Sequence, residues 1–319
     1  MKFLVTGAAG FIGSTIVDQL LELGHEVIGL DCFLEASYAK SRKLNNLSSA
    51  LQNSKFHFLE IDLASDMPTE ALIDVQYAIH LAALPGLTQS WIDPNAYVQN
   101  NLIATINLIK SLNSSTLKKF VYASTSSVYG AHIEPGAPFE ELKPVSPYGA
   151  TKLAAEIYIQ SYMRAKGFPL VILRYFSVYG PRQRPDMGFN ILIDCALRHK
   201  TFTVTGSGNQ FRTNTYVKDV AIGTIEATLN CLPGEVLNVA GLELITINDV
   251  IGIVENEVGT KLEVDYGPVR LGEQELTDGR FNSLWDRIQM KYATDFIIGI
   301  RNQIDWQRNL IPQSNNGLK

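Results

Sequence analysis

The stretch Thr6-Gly7-Ala8-Ala9-Gly10-Phe11-Ile12-Gly13 spaces three glycines as G-x-x-G-x-x-G, directly after the apolar run Phe3-Leu4-Val5. Glycines at such a turn let the backbone bend tightly and approach a pyrophosphate, which then lies at the positive end of the helix that follows. The pattern therefore requires a strand before it and a helix after it, although a lone glycine pattern also fits an ordinary turn. Asp31 closes the next strand-like run, 18 residues past Gly13. A carboxylate there accepts hydrogen bonds from the adenosine ribose and repels a 2′-phosphate, favouring NAD over NADP; the alternative is a helix or turn cap.

Strand-like runs at residues 3–6, 26–30, 56–61, 78–81, 120–123 and 170–174 alternate with helical spacing at 14–23, 96–112 and 148–166. This alternation predicts an α/β chain with a Rossmann-type, doubly wound parallel sheet. After Arg174 the pattern breaks into a Pro/Gly/Arg-rich stretch, Gly180 to Gly188, while residues 246–258 and 295–310 read as helical, joined by loops. We expect an NAD-binding domain at 1–175, with a return around 213–240. A smaller interleaved substrate lobe is expected at 176–212 and 241–319, with a cleft between the two.

Charge narrows the partners. Lys and Arg total 27 against 32 Asp and Glu, a net −5 without a long basic cluster, so nucleic acid is not expected. No apolar stretch is long enough to span a membrane, and the first apolar run is too short for a signal peptide. Cys32, Cys195 and Cys231 show neither C-x-x-C spacing nor a histidine partner, so no metal site is expected. The three fit idle thiols in a reducing, cytoplasmic setting.

Two further stretches suit a dinucleotide. Asp62-Leu63 follows the third strand, where the acid can reach the adenine amino group, and Leu81-Ala82-Ala83 ends the fourth with small residues. His80 reads as a packed strand-end residue with no chemistry. The fifth strand runs into Ser124-Thr125-Ser126-Ser127, a hydroxyl cluster at the edge where open α/β sheets bind ligands. Tyr148-Gly149-Ala150-Thr151-Lys152 follows Ser146-Pro147 and opens a helix. Its i, i+4 spacing puts phenol and ammonium on one face, and a lysine cation beside the phenol favours the phenolate, a usable base. By itself Y-x-x-x-K also fits surface packing.

Taken with TGAAGFIG, HLAA, Asn101, ASTSSVYG, SPYGATK and RYFSVYGPRQRPDM, the chain resembles the extended short-chain dehydrogenase/reductase family, the NAD-dependent nucleotide-sugar epimerases and dehydratases. The resemblance implies Thr125, Tyr148 and Lys152 as the catalytic set. It implies NAD held by Gly7, Gly10, Phe11, Ile12, Gly13, Asp31, Asp62, Leu63, Leu81, Ala82, Ala83 and Asn101, together with Tyr148 and Lys152. For a UDP-sugar it implies Pro85, Thr125, Ser126, Ser127, Tyr148, Ser177 and Arg184 around the sugar, and Arg212 and Arg270 on the diphosphate. A homodimer through the helices at 96–112 and 148–166 is implied too. The chain departs from the family pattern at Arg212-Thr213-Asn214, at Ala104, and between Gly272 and Asp278.

Ser177 followed by PRQRPDM is most like the UDP-glucuronate 4-epimerases, with Arg184 as the partner of the sugar carboxylate. A solvated loop arginine is the alternative. Ser126-Ser127 stand where 4,6-dehydratases have Asp-Glu, which argues against dehydration. Thr88 stands where related glucuronate epimerases often carry arginine, so UDP-glucuronate decarboxylation and UDP-glucose 4-epimerisation stay open. A non-catalytic NAD-binding regulator on the same fold is a further alternative, which the retained Tyr148 and Lys152 disfavour.

Overall fold

The computed structural model describes residues 1–35, 38–112, 115–131, 142–269, 276–290 and 293–311. Strands β1 (Lys2–Thr6), β2 (Glu26–Asp31), β3 (Phe56–Glu60), β4 (Tyr77–His80), β5 (Lys119–Thr125) and β6 (Leu170–Tyr175) come first. They are followed by β7 (Ser177–Tyr179), β8 (Phe202–Thr205), β9 (Phe211–Tyr216), β10 (Val236–Val239), β11 (Leu244–Thr246), β12 (Val264–Gly267) and β13 (Leu276–Thr277). Seven strands form the main sheet in the order β10-β6-β5-β4-β1-β2-β3. Every pairing in it is parallel. The order reverses between β1 and β4, the switch point at which such sheets bind ligands.

The first half of the chain adds helices α1 (Phe11–Glu22), α2 (Lys40–Asn46), α3 (Leu87–Ile92), α4 (Pro94–Tyr97), α5 (Ala104–Ser111) and α6 (Pro147–Lys166). The second half adds α7 (Gly188–Arg198), α8 (Val217–Asn230), α9 (Ile247–Val258), α10 (Leu284–Ile288) and α11 (Phe296–Leu310). Alternation along each strand divides the core. Phe3 and Val5 pack with Ile16, Leu20, Ala221 and Ile225 of α1 and α8. Leu4, Phe120 and Tyr122 point the other way, onto Leu108, Ile109, Ala155 and Ile159 of α5 and α6. All seven residues of β5 are buried, as a strand covered on both faces requires.

Residues expected as one helix at 96–112 are instead α4, one π-helical turn over Val98–Ile103, and α5. Hydrophobic spacing cannot distinguish a π turn from α-helix, because it inserts the equivalent of one residue into an otherwise helical pattern. The helices expected at 246–258 and 295–310 are α9 and α11, and short strands that were not expected accompany them. β9 pairs with β7, β11 and β13, and β8 pairs with β12. These strands are two to six residues long, too short to show alternation. The chain leaves the main sheet after β6 and returns to it with α8 and β10.

Candidate active site

The glycine turn is shaped by contacts no side chain could share. Gly7 has φ +67°, and a Cβ on it would lie 2.9 Å from the Ala82 nitrogen. A Cβ on Gly13 would lie 2.1 Å from the Gly7 carbonyl oxygen, so helix α1 packs backbone to backbone on the turn. Gly10 caps α1 without any side-chain hydrogen bond, leaving the helix N–H groups to another acceptor. The Asp31 carboxylate at the end of β2 accepts from the Ala9 N–H at 3.1 Å and the Phe33 N–H at 2.8 Å, with Lys43 Nζ at 3.6 Å. It is thereby fixed over the turn.

A cavity of about 390 Å³ opens at this edge. Of the residues expected to hold a cofactor, Gly7, Gly10, Phe11, Ile12, Gly13, Asp31, Asp62, Leu63, Leu81, Ala82, Ala83, Tyr148 and Lys152 line it. Pro85, Thr125, Ser177 and Arg184 line it as well. Lys43 and Tyr38 also face it, without any motif to announce them. A turn that only glycines can form, an uncapped helix start and a fixed carboxylate together suit a dinucleotide.

Asn101 does not line this cavity. It is fully buried in the π turn, where its Oδ1 accepts from the Leu84 N–H at 2.7 Å and its Nδ2 donates to Leu84 O and Thr151 Oγ1, each at 3.1 Å. Thr151 in turn donates to the Tyr148 carbonyl. Asn101 thus ties the loop after β4 to the first turn of α6, acting behind the site. Tyr97, just before the π turn, meets the Tyr148 ring edge-on at 6.2 Å and donates from its hydroxyl to Pro85 O at 2.9 Å. Sequence spacing gave no sign of Tyr97, because its partners Tyr148 and Pro85 come from other elements.

His80 belongs to the same scaffold. Thr105 Oγ1 donates to Asn101 O, so at 2.9 Å it accepts from His80 Nε2–H. His80 Nδ1 then accepts from Thr6 Oγ1 at 2.6 Å, and Thr6 accepts from the Ala82 N–H. The ring is neutral: burial, with the Lys152 charge nearby, lowers its pKa to about 3.

Helix α6 starts where Ser146 accepts from the Gly149 N–H and Pro147 takes the first helical position, so Tyr148 stands in its first turn. The Tyr148 phenol faces the same cavity as Thr125, the last residue of β5. Its pKa is raised by burial, against the pull of Thr125 and the positive charge of Arg184. The expectation that Lys152 lowers it needs correction. Burial brings Lys152 itself down to about 7, with Glu156 opposing the fall, and its Nζ sits 4.1 Å from the Tyr122 ring centroid. Lys152 is not among the groups that move the Tyr148 pKa.

Behind Lys152 lies a buried ion pair. Arg174 donates to both oxygens of Glu156, at 3.1 and 2.7 Å, and the Ser124 hydroxyl also donates to Glu156. Ser126 and Ser127 do not line the cavity; Ser127 Oγ accepts from Thr125 at 3.3 Å and its N–H donates to Thr125 Oγ1 at 3.2 Å. Thr88 is exposed on α3, also off the cavity.

A second cavity, of about 490 Å³, shares Ser177, Val178 and Met187 with the first. Arg212 lines it from β9, donating to Thr277 Oγ1 at 3.0 Å, beside apolar Phe189, Ile245 and Val250. A cation at the rim of an apolar slot suits a flat base joined to an anion. Arg270 lies outside the described residues.

The family model described as the NAD dependent epimerase/dehydratase family matches residues 3–240. The UDP-glucuronic acid 4-epimerase of Bacillus cereus, solved in complex with UDP-glucuronic acid and NAD, superposes with a TM-score of 0.91. It is 38% identical, covering 98% of this chain and 100% of that one. The UDP-glucuronate 4-epimerase of Thermodesulfobacterium geofontis is 33% identical over 97% of either chain. An uncharacterized UDP-glucose epimerase of Bacillus subtilis is 38% identical over 97% of this chain and 99% of its own.

Proposed function

Because this chain belongs to the NAD dependent epimerase/dehydratase family, we propose that it is a UDP-glucuronate 4-epimerase, interconverting UDP-glucuronate and UDP-galacturonate. The carrying observation is that Arg184 and Ser177 face the same cavity as Thr125 and Tyr148, and that this cavity continues into the one holding Arg212. A sugar at the junction would have its diphosphate toward Arg212. C4 would then lie at the phenol, with the C6 carboxylate near Arg184. The relatives solved or named with UDP-glucuronate support the same substrate.

Bound NAD, held by the glycine turn and Asp31, would supply a hydride acceptor at C4 and, in its oxidised form, a positive ring that favours the phenolate. Tyr148 takes the C4 hydroxyl proton, with Thr125 fixing the direction of the phenol oxygen. The resulting 4-keto sugar acid is a β-keto acid and loses CO₂ when the C5–C6 bond aligns with the carbonyl π system. Ser177 and Arg184 hold the carboxylate out of that alignment by directional, charge-assisted hydrogen bonds. Tyr148 then returns the proton to the C4 oxygen once the ring has turned its other face to the hydride that reduced NAD would give back to C4.

The test is incubation with UDP-glucuronate, UDP-galacturonate and UDP-glucose, with products separated and weighed. One isomer of unchanged mass from UDP-glucuronate is expected. A main product lighter by CO₂, or turnover of UDP-glucose alone, would overturn the reading. The homodimer contact belongs on the Pro94–Ser111 and α6 helices, where Val98 and Ile157 are exposed. Light scattering of the same preparation should give twice the chain mass, and a monomer mass would remove that contact. All three cysteines are free, which supports a reducing, cytoplasmic setting. Among the described residues no helix is long and apolar enough to cross a membrane.

A further inference from the structure

The turn at Arg184-Pro185-Asp186-Met187 is closed by a hydrogen bond from the Met187 N–H to the Arg184 carbonyl at 3.1 Å. Proline at its second position fixes the backbone and sets the two flanking side chains together. Arg184 uses that geometry fully. Its Nε donates to Asp186 Oδ1 at 3.0 Å and its Nη2 to Asp186 Oδ2 at 2.9 Å, a side-on, two-point grip. Arg184 lines the first cavity and Asp186 the second, so the pair stands where the two meet.

A guanidinium offers five N–H donors over two edges. Asp186 takes the Nε/Nη2 edge, and Arg184 makes no hydrogen bond to any other described residue. The end-on edge, Nη1 with the second hydrogen of Nη2, is the one suited to another carboxylate. A free arginine would lose much rotamer freedom on binding one, whereas an arginine already gripped loses little. We propose that Asp186 is a positioning residue that sets selectivity for a sugar acid, holding Arg184 so that its end-on edge meets the C6 carboxylate. The inference rests on the UDP-glucuronate reading above.

The experiment compares wild type with Asp186→Asn, which keeps the shape and loses the charge, and Asp186→Glu, which restores the charge. Initial rates give KM and kcat for UDP-glucuronate, and calorimetry gives Kd for UDP and UDP-glucose. Asp186→Asn should raise the UDP-glucuronate KM about tenfold with kcat within about twofold, and leave UDP and UDP-glucose binding unchanged. Asp186→Glu should recover part of the loss. A fall in the UDP-glucuronate KM would overturn the inference, because Asp186 would then be competing with the substrate for Arg184. An unchanged KM, or a parallel loss for UDP and UDP-glucose, would overturn it as well. Wild type inert toward UDP-glucuronate would remove the substrate reading and this inference together, whereas an active wild type with an unselective variant removes only the inference.

Discussion

Replacing His80 by asparagine should flatten the acid side of the stability curve. In the folded protein His80 is fully buried and its pKa falls from 6.5 to about 3. Unfolding therefore takes up a proton between these values. The stabilisation is complete above pH 6.5 and is lost progressively as the pH falls toward 3, because the unfolded chain binds more protons there. At about 1.36 kcal/mol per unit, the fall from pH 6.5 to pH 5 removes about 2 kcal/mol, roughly a thirtyfold change in the folded-to-unfolded ratio. Asparagine keeps an acceptor for the Thr6 hydroxyl, and Thr105 keeps its bond to Asn101 O. The variant lacks this proton uptake. Urea unfolding at pH 7.5 and pH 5.0 can be followed through Trp285, which is buried and donates to Ala240 O. Wild type should lose about 2 kcal/mol more than His80→Asn between the two pH values, since every other titrating group is common to both. Equal losses would refute the neutral, buried assignment of His80.

Three further perturbations follow. Glu156→Gln leaves the buried Arg174 charge uncompensated and should cost about 3–5 kcal/mol in urea unfolding, more than the paired change Glu156→Leu/Arg174→Met. It should also move the Lys152 pKa below about 7, so that any fall of kcat on the alkaline side begins at lower pH; an unmoved profile would separate Glu156 from Lys152. Gly13→Ala forces a Cβ within 2.1 Å of the Gly7 carbonyl oxygen and should abolish co-purification of the dinucleotide, read by absorbance. Gly252→Ala in α9, where a Cβ meets nothing within 4 Å, should instead raise stability by roughly 0.5–1 kcal/mol.

Six of the seven main-sheet strands were legible, the central ones because burial on both faces keeps them apolar over several residues, as in β5 and β6, whereas the four-residue β10 was not. The residues named by spacing, Tyr148 and Lys152, do share a helix face, since i, i+4 fixes that without knowledge of the fold. What spacing could not convey is the field each group feels. The Lys152 proton affinity depends on burial over Tyr122 and on Glu156, contacts made only after folding. Asn101 was visible as a residue but not as a clamp, because its partners Leu84 and Thr151 come from other elements. The short strands of the second lobe carry too few residues for a period to emerge.

The return of α8 and β10 to the main sheet has a consequence for how such a protein can diversify. Neither lobe is a contiguous stretch of gene. A fragment ended at Gly180 would leave β6 as a raw edge, without Val236–Val239 beside it, and would strip Ala221 and Ile225 from the face of α1. A single recombination event therefore cannot exchange residues 181–319 as one block while keeping the seven-stranded sheet and its core intact. Changes that leave this interleaving undisturbed are substitutions in place, and the four-residue Arg184–Met187 turn is short enough for one of them to reshape it.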